Sequence, residues 1–174
     1  MTSLYDLTVP FLINSLKSEL HLVSKAEELA KSKGVSVEDV FHYKLADDMW
    51  ELSQQVNIMA MHSAGTIKKI TGKDAPFPPM GPAAPDAVKK QVEEVLAALE
   101  ALKPEDFNGK EAEMTSAYLG PPAEAPMKVI DYVQGYLQPQ ILFHLSTTYA
   151  ILRANGSPIG KGDYIKPFVK VTQA

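Results

Sequence analysis

The sequence contains no cysteine, which excludes a disulfide-stabilised scaffold and every metal site that uses thiolate ligands. It has a single arginine, Arg153, and its formal net charge is −4 at pH 7. The lysines are dispersed along the chain, so the basic patch that nucleic acids require is missing. We therefore expect no nucleic-acid partner, and the lack of cysteine fits a reducing compartment.

Long hydrophobic runs are absent as well. No apolar stretch reaches the roughly 18 residues that a membrane-spanning helix needs. Residues 1–20 carry no basic region ahead of an apolar core, and Asp6, Pro10 and Lys17 interrupt them, unlike a secretory signal peptide. These features predict a cytoplasmic protein with no membrane partner.

The chain does have a regular pattern of apolar residues. With 45% apolar residues in 174, we expect residues 1–174 to form a single domain with its own core. The apolar residues recur at intervals of three and four, which is the spacing of one helix face. Helices are predicted over residues 4–33, 45–71, 86–103 and 126–154. This pattern predicts an all-α fold, an up-down four-helix bundle.

Local signals refine the predicted helix starts. Pro10 lacks a backbone donor, so the regular part of the first helix is predicted to begin near Thr8. Asp47 and Asp48 suit the positive N-terminal end of the second helix. Asp86 is predicted to cap the third helix.

Other segments are predicted to be non-helical or short. Residues 72–85 contain five prolines and two glycines, so a long, rigid connection between the second and third helices is predicted, able to shape a pocket rim. Residues 113–119 followed by a turn at 120–122 predict a small hairpin before the fourth helix. Residues 36–43 predict one or two helical turns, and the tail, 157–174, is predicted to be extended over the bundle.

Polar residues lie beside the apolar stripe of the predicted fourth helix. Gln140, His144 and Thr148 are four residues apart, so they share one helix face. Pro139 removes one backbone hydrogen bond and is predicted to kink the helix just before this polar face. Because unpaired buried polar groups are costly, the pattern predicts either internal hydrogen-bond partners or a bound ligand.

A pocket is predicted where this polar face meets the second helix. Aromatic and methionine walls with a few polar groups are typical of small-molecule sites. The predicted lining consists of Tyr5, Trp50, Gln55, Met59, His62, Tyr132, Tyr136, Gln140, His144 and Thr148. His144 and His62 are the candidate catalytic residues, because imidazole titrates near neutral pH. The alternatives are that these side chains fill the core and that His144 is a structural histidine bonded to Tyr5 or Asp6.

Three blocks of the sequence resemble a known family. They are Tyr5-Asp6 with Val9-Pro10-Phe11, Leu45–Met49 followed by Gln54–Val56, and Phe143–Gly156. On these residues the chain resembles the uncharacterised domain-of-unknown-function family numbered nineteen ninety-three, within the DinB/YfiT-like superfamily of four-helix bundles. The block in the fourth helix is specific, whereas residues 72–125 match only in general layout.

The resemblance implies a metal site that has degenerated. Better-known superfamily members hold a divalent metal with one histidine of the second helix and two, spaced four apart, of the fourth. On this chain His144 matches the second of that pair, Gln140 stands at the first, and Gln54 or Gln55 stands at the third. Amide oxygens are poor zinc ligands, so we expect no metal and no other cofactor.

Three functions remain open from the sequence. The first is binding of a small organic molecule between the second and fourth helices, with metal-independent acid/base chemistry of the isomerase, lyase or cyclase type. The second is a non-catalytic bundle with a degenerate site that acts as a homodimer. The third, which the resemblance implies, is a metal-dependent transferase or isomerase like the better-known superfamily members.

Overall fold

A computed structural model of the protein describes residues 2–120 and 124–170. Helices and a small two-stranded sheet make up its regular structure. The long helices are α1 (Leu4–Lys33), α3 (Leu52–Thr71), α4 (Pro85–Glu100) and α6 (Gln138–Ala154). The shorter elements are α2 (Val37–Phe41), α5 (Val129–Asp131), α7 (Lys161–Ile165), β1 (Met114–Tyr118) and β2 (Glu124–Lys128).

The four long helices pack as a bundle. α1 and α3 each contact both α4 and α6, whereas α1 and α3 contact one another much less. The buried face of each helix carries the apolar residues expected from the sequence, for example Leu12 and Leu16 on α1 and Leu145 and Leu152 on α6. Within the described part of the chain, no helix has the length and apolar character needed to cross a membrane.

Several predicted helix starts were wrong. α1 begins at Leu4 rather than near Thr8, because Ser3 and Asp6 form a reciprocal capping box and the helix tolerates Pro10 in its second turn. The second long helix, α3, begins at Leu52 rather than at residue 45. Residues 44–51 form turns and irregular structure that place Trp50 beside the start of α3. The third, α4, starts at Pro85, so Asp86 lies in its first turn and is not the cap.

The predicted proline-rich connection and hairpin are both present. Asn57 on α3 holds the connection by donating its Nδ2 hydrogens to the carbonyl oxygens of Pro79 at 2.7 Å and Gly81 at 3.3 Å. β1 and β2 pair in antiparallel fashion, with Ser116 opposite Pro126. Of the turn predicted at 120–122, residues 121 and 122 lie outside the described residues.

Just before Pro139, where a kink was predicted, the fourth helix contains a π-helical segment, Tyr132–Leu137, between α5 and α6. Pro139 lies in the first turn of α6. It lacks an N–H, and its ring crowds the carbonyl four residues earlier, so a regular α-helical ladder cannot continue through this point. The helical region begins at Val129, later than the predicted residue 126, because β2 occupies the chain up to Lys128.

The prediction of an extended tail was wrong for its described part. α7 and a turn of 3₁₀ helix at Lys166–Phe168 pack against α1, and Ser18 donates its hydroxyl hydrogen to the Tyr164 carbonyl at 2.6 Å. Asp163 accepts from the Gly160 N–H at 2.8 Å, which caps α7. Residues 171–174 of the predicted tail lie outside the described residues.

One buried carboxyl group was not anticipated from the sequence. Glu19, on the core face of α1, is fully buried and accepts a hydrogen bond from the Thr148 hydroxyl of α6 at 2.6 Å. Its other carboxyl oxygen has no hydrogen-bond partner among the described residues. Burial raises the pKa of Glu19 to about 8, because a charged carboxylate would lack solvation there.

We expect Glu19→Gln to remove a pH dependence from the stability of the protein. Because the pKa of Glu19 is about 8 when folded and 4.5 when unburied, the folded state retains a proton that the unfolded chain releases. The bound proton therefore stabilises the folded state fully below pH 4.5. This stabilisation is lost as the pH rises from 4.5 to about 8. At neutral pH the variant should therefore be more stable than wild type by on the order of 3 kcal/mol.

Urea unfolding at about pH 5 and about pH 9 measures this difference. The matched control is Glu93→Gln on the exposed face of α4, which should change stability little at either pH. If the difference in free energy of unfolding between Glu19→Gln and wild type is the same at both pH values, Glu19 does not titrate as a buried carboxyl.

Candidate functional site

A hydrogen bond between α3 and α6 lies at the centre of the candidate site. His144 Nδ1 is 2.7 Å from Gln55 Oε1, and both residues are buried. The Gln55 amide nitrogen donates to the carbonyl oxygen of Trp50 at 3.0 Å. The amide oxygen of Gln55 is therefore an acceptor only, so His144 carries its proton on Nδ1 and leaves Nε2 with a free lone pair.

Aromatic rings surround this histidine. The Trp50 indole stacks on the His144 ring at 6.1 Å between centroids, and Phe143 meets its edge at 5.2 Å. On another side the His62 ring lies 6.2 Å away and nearly parallel. Burial and, to a smaller extent, the neighbouring His62 together lower the pKa of His144 to about 4. Burial also lowers the pKa of His62, so both imidazoles are neutral at pH 7.

A cleft of about 220 Å³ opens beside His62. One wall is a stripe of α3, another is Phe77 of the proline-rich connection, and the rest is the hairpin and the π-helical segment. The lining residues are Ile58, Met61, His62, Gly65, Lys69, Phe77, Ser116, Ala117, Tyr118, Glu124, Tyr132 and Tyr136. Most of this surface is apolar or aromatic, which suits a small organic ligand.

The π-helical segment supplies two tyrosines to the cleft. Tyr132 and Tyr136 stack at 5.6 Å between centroids, and Tyr136 also meets the edge of the His62 ring at 5.8 Å. The Tyr136 hydroxyl donates to the Tyr118 carbonyl oxygen at 3.0 Å, which fixes the hairpin against the helix. The Tyr132 hydroxyl lies 3.0 Å from the buried hydroxyl of Thr66.

The structure brings together most of the residues predicted to form the site. One connected group is formed by Trp50, Gln55, His62, Tyr132, Tyr136 and His144. Burial raises the pKa of the Tyr136 hydroxyl, and the nearby Gln140 side chain acts in the opposite direction. Of these, His62, Tyr132 and Tyr136 line the cleft, whereas His144 and Gln55 lie behind its wall.

Three predicted pocket residues lie elsewhere. Tyr5 packs edge-on against Phe107 and donates to the Leu102 carbonyl oxygen, and it does not line the cleft. Met59 is fully buried in the core. Thr148 bonds to Glu19, so its hydroxyl is used inside the core and does not reach the cleft. His144 is bonded to Gln55 rather than to Tyr5 or Asp6, which corrects the partner proposed for a structural role.

Other cleft residues were not predicted from the sequence, among them Gly65, Lys69, Phe77, Ser116 and Glu124. Gly65 and Lys69 could have been predicted, because they follow His62 at helical spacing and therefore share its helix face. Gly65 gave a further signal, since a glycine inside a helix destabilises it and often marks a place where space is needed. Phe77, Ser116 and Glu124 gave no such signal, since they come from the connection and the hairpin.

The residues present do not fit the three-histidine metal site that the resemblance implies. His144 Nδ1 is occupied by Gln55, and His62 is the only other imidazole near it. Within residues 2–120 and 124–170, no cluster of three or more His, Cys, Asp or Glu side chains could hold a metal ion. A divalent cation would therefore find at most two histidine, cysteine or carboxylate ligands among the described residues here, and the absence of a metal stays a prediction.

Comparison with known proteins gives a family and a fold. The sequence profile of a domain of unknown function, DUF1993, matches residues 4–165. A crystal structure of a DinB family member protein from Shewanella denitrificans has a TM-score of 0.80 and 27% sequence identity to this chain. The match covers 93% of this chain and 91% of that one. No curated protein matches the sequence.

We expect His144 to titrate far below an ordinary histidine. Its NMR titration midpoint should lie near pH 4, and long-range ¹H–¹⁵N correlations should show the proton on Nδ1 at neutral pH. His42 is an internal control, because its bond to Glu51 raises its pKa above 6.5. A midpoint for His144 near that of His42 would contradict a buried, neutral imidazole.

Proposed function

We propose that this chain, which belongs to the DUF1993 family, binds a small organic molecule with a mostly apolar body in the cleft beside His62. The observation that carries the proposal is the neutral imidazole of His62 in a cleft lined mostly by apolar and aromatic side chains. Such a group can accept a proton from a bound molecule without first having to release one. The DinB-type bundle, in its up-down arrangement, is the scaffold we infer for this site.

The chemistry we propose is cofactor-free proton transfer of the isomerase, lyase or cyclase type. His62 would take a proton from one atom of the ligand and return it to another, so no oxidant or reductant is needed. His144 acts through His62 as a positioning residue, because it lies behind the cleft and Gln55 fixes its ring. Its neutrality also keeps a positive charge away from His62 at physiological pH.

A homodimer without catalysis is the second candidate, and one surface favours it. Trp50 and Phe143 both contact His144, yet 46% of Trp50 and 55% of Phe143 remain exposed. Exposed aromatic side chains on one patch are typical of protein contacts. Sedimentation over a range of protein concentrations distinguishes a dimer from a monomeric binding protein.

We expect substitutions at Gly65 to separate cleft volume from stability. A Cβ atom here would meet only the Phe77 ring, at an ordinary contact distance of 3.7 Å. Gly65→Ala should therefore stabilise α3 by about 1 kcal/mol. Gly65→Leu should project into the cleft and weaken, by about tenfold or more, the binding of molecules that a thermal-shift screen finds for wild type.

The matched control is Gly162→Leu. Gly162 is a helical glycine of α7 with open space around it, and it does not line the cleft. Circular dichroism verifies that each variant is folded. If molecules found in the screen bind Gly65→Leu as tightly as wild type, they do not occupy this cleft.

His144→Ala and His62→Ala should have opposite effects. His144→Ala leaves the buried Gln55 oxygen unpaired, so it should lower the free energy of unfolding by about 1–3 kcal/mol and change ligand affinity little. His62→Ala removes a side chain that lines the cleft, but the His62 ring forms no hydrogen bond with the described residues. This variant should therefore lower ligand affinity while changing the free energy of unfolding little. Thermal melting and calorimetric titration measure both. A folded His144→Ala protein that binds nothing would mean that His144 itself contacts the ligand.

A further inference from the structure

Two opposite charges lie at the end of the cleft away from His62. Lys69 Nζ donates to the Ser116 carbonyl oxygen at 3.0 Å and lies 3.4 Å from the Ser116 hydroxyl. That hydroxyl donates to Glu124 Oε2 at 2.6 Å. Lys69 belongs to α3, Ser116 to β1 and Glu124 to β2, so three elements bring these groups to one place.

Lys69 and Glu124 both form hydrogen bonds with Ser116, but they do not form an ion pair with each other. Lys69 forms no direct ion pair with a carboxylate of the described residues, whereas six other lysines do. Ser116 separates the ammonium from the carboxylate by one hydroxyl group. Each charge keeps hydrogen-bonding capacity for a further group, because an ammonium has three donors and a carboxylate about four acceptor sites.

The arrangement favours a ligand that carries both charges. An anion at Lys69 would be repelled by Glu124, and a cation at Glu124 would be repelled by Lys69. A zwitterionic group meets both requirements, with its carboxylate on Lys69 and its ammonium on Glu124. The ordinary chemical form of such a group is the head of an α-amino acid.

The rest of the cleft defines the body of this ligand. His62 and Lys69 are seven residues apart on α3, which places them about 10 Å apart along the helix axis. The Phe77 ring lies against Gly65, between these two residues on α3, and Tyr136 lines the cleft beside His62. A molecule bound by its head group at Lys69 therefore extends a flat or apolar body along these rings, and its far end meets His62.

We infer that the ligand of this cleft is an α-amino acid or a close derivative with an aromatic or large apolar side chain. The inference rests on the proposed function, because it names the class of molecule for the same cleft. It assigns Lys69 and Glu124 to the head group and leaves His62 for the opposite end.

Three probes with one skeleton test the charges separately. L-tryptophan carries both charges, indole-3-propionate lacks the ammonium, and tryptamine lacks the carboxylate. Calorimetric titration of wild type should show L-tryptophan binding about fivefold or more tightly than either analogue, a preference within the range that partly exposed ion pairs supply. Added salt should reduce this ratio of affinities, because salt screens the interactions between exposed charges.

Variants assign each charge to its partner. Lys69→Met keeps the apolar stem, so L-tryptophan should then bind no better than tryptamine. Glu124→Gln should make L-tryptophan equal to indole-3-propionate. The control is Lys68→Met, because Lys68 pairs with Asp74 and does not line the cleft; this variant should behave as wild type.

The outcomes separate this inference from the proposed function. If all three probes bind equally and Gly65→Leu abolishes their binding, the cleft binds ligands but does not select a zwitterion, and the inference is wrong. The same holds if none of the probes binds while an uncharged molecule from the screen does. If neither the probes nor any screened molecule binds, the proposed function is wrong as well.

Discussion

The hydrogen bond from His144 Nδ1 to Gln55 Oε1 is the constraint on which the candidate site depends. It crosses the interface between α3 and α6, and a second bond from Gln55 to the Trp50 carbonyl oxygen fixes the direction of the amide. These bonds orient the His144 ring, on which Trp50, Phe143 and His62 pack. Because both partners are buried, loss of either would leave a polar atom without solvent or partner, so the geometry has little freedom.

α6 makes a second buried polar contact one turn further along. Thr148 donates to Glu19 of α1, while His144 bonds to Gln55 of α3, so the same helix is joined to both of its neighbours by polar side chains. Apolar contacts alone would allow α6 to rotate or slide, since packing of similar side chains is not directional. The two bonds specify its rotation and register, and thereby the direction in which the π-helical segment presents Tyr132 and Tyr136.

The cleft exists because regular packing stops at this end of the bundle. Pro139 interrupts the helix, the widened π-helical segment moves two tyrosines towards α3, and Gly65 leaves room where another residue would fill the space. The hairpin and the proline-rich connection then close two sides, with the Tyr136–Tyr118 and Asn57–Pro79 hydrogen bonds holding them. Partial burial among these walls lowers the pKa of His62, the histidine that faces the cleft, and so favours its neutral form.

The sequence by itself determined the four long helices, apart from several of their starts, and the hairpin, and it placed a disturbance of the fourth helix near Pro139. Those features follow from helical spacing and from proline chemistry, which act over a few residues, and the resemblance supplied the pairing of the helices. Tertiary structure alone decided that Thr148 bonds to Glu19, that Tyr5 lies far from the cleft, and that Lys69 and Glu124 meet at Ser116. Helical spacing shows which residues share a face, but not which neighbouring element covers that face. A site assembled from a helix, a hairpin and a connection is fixed only when those elements pack together.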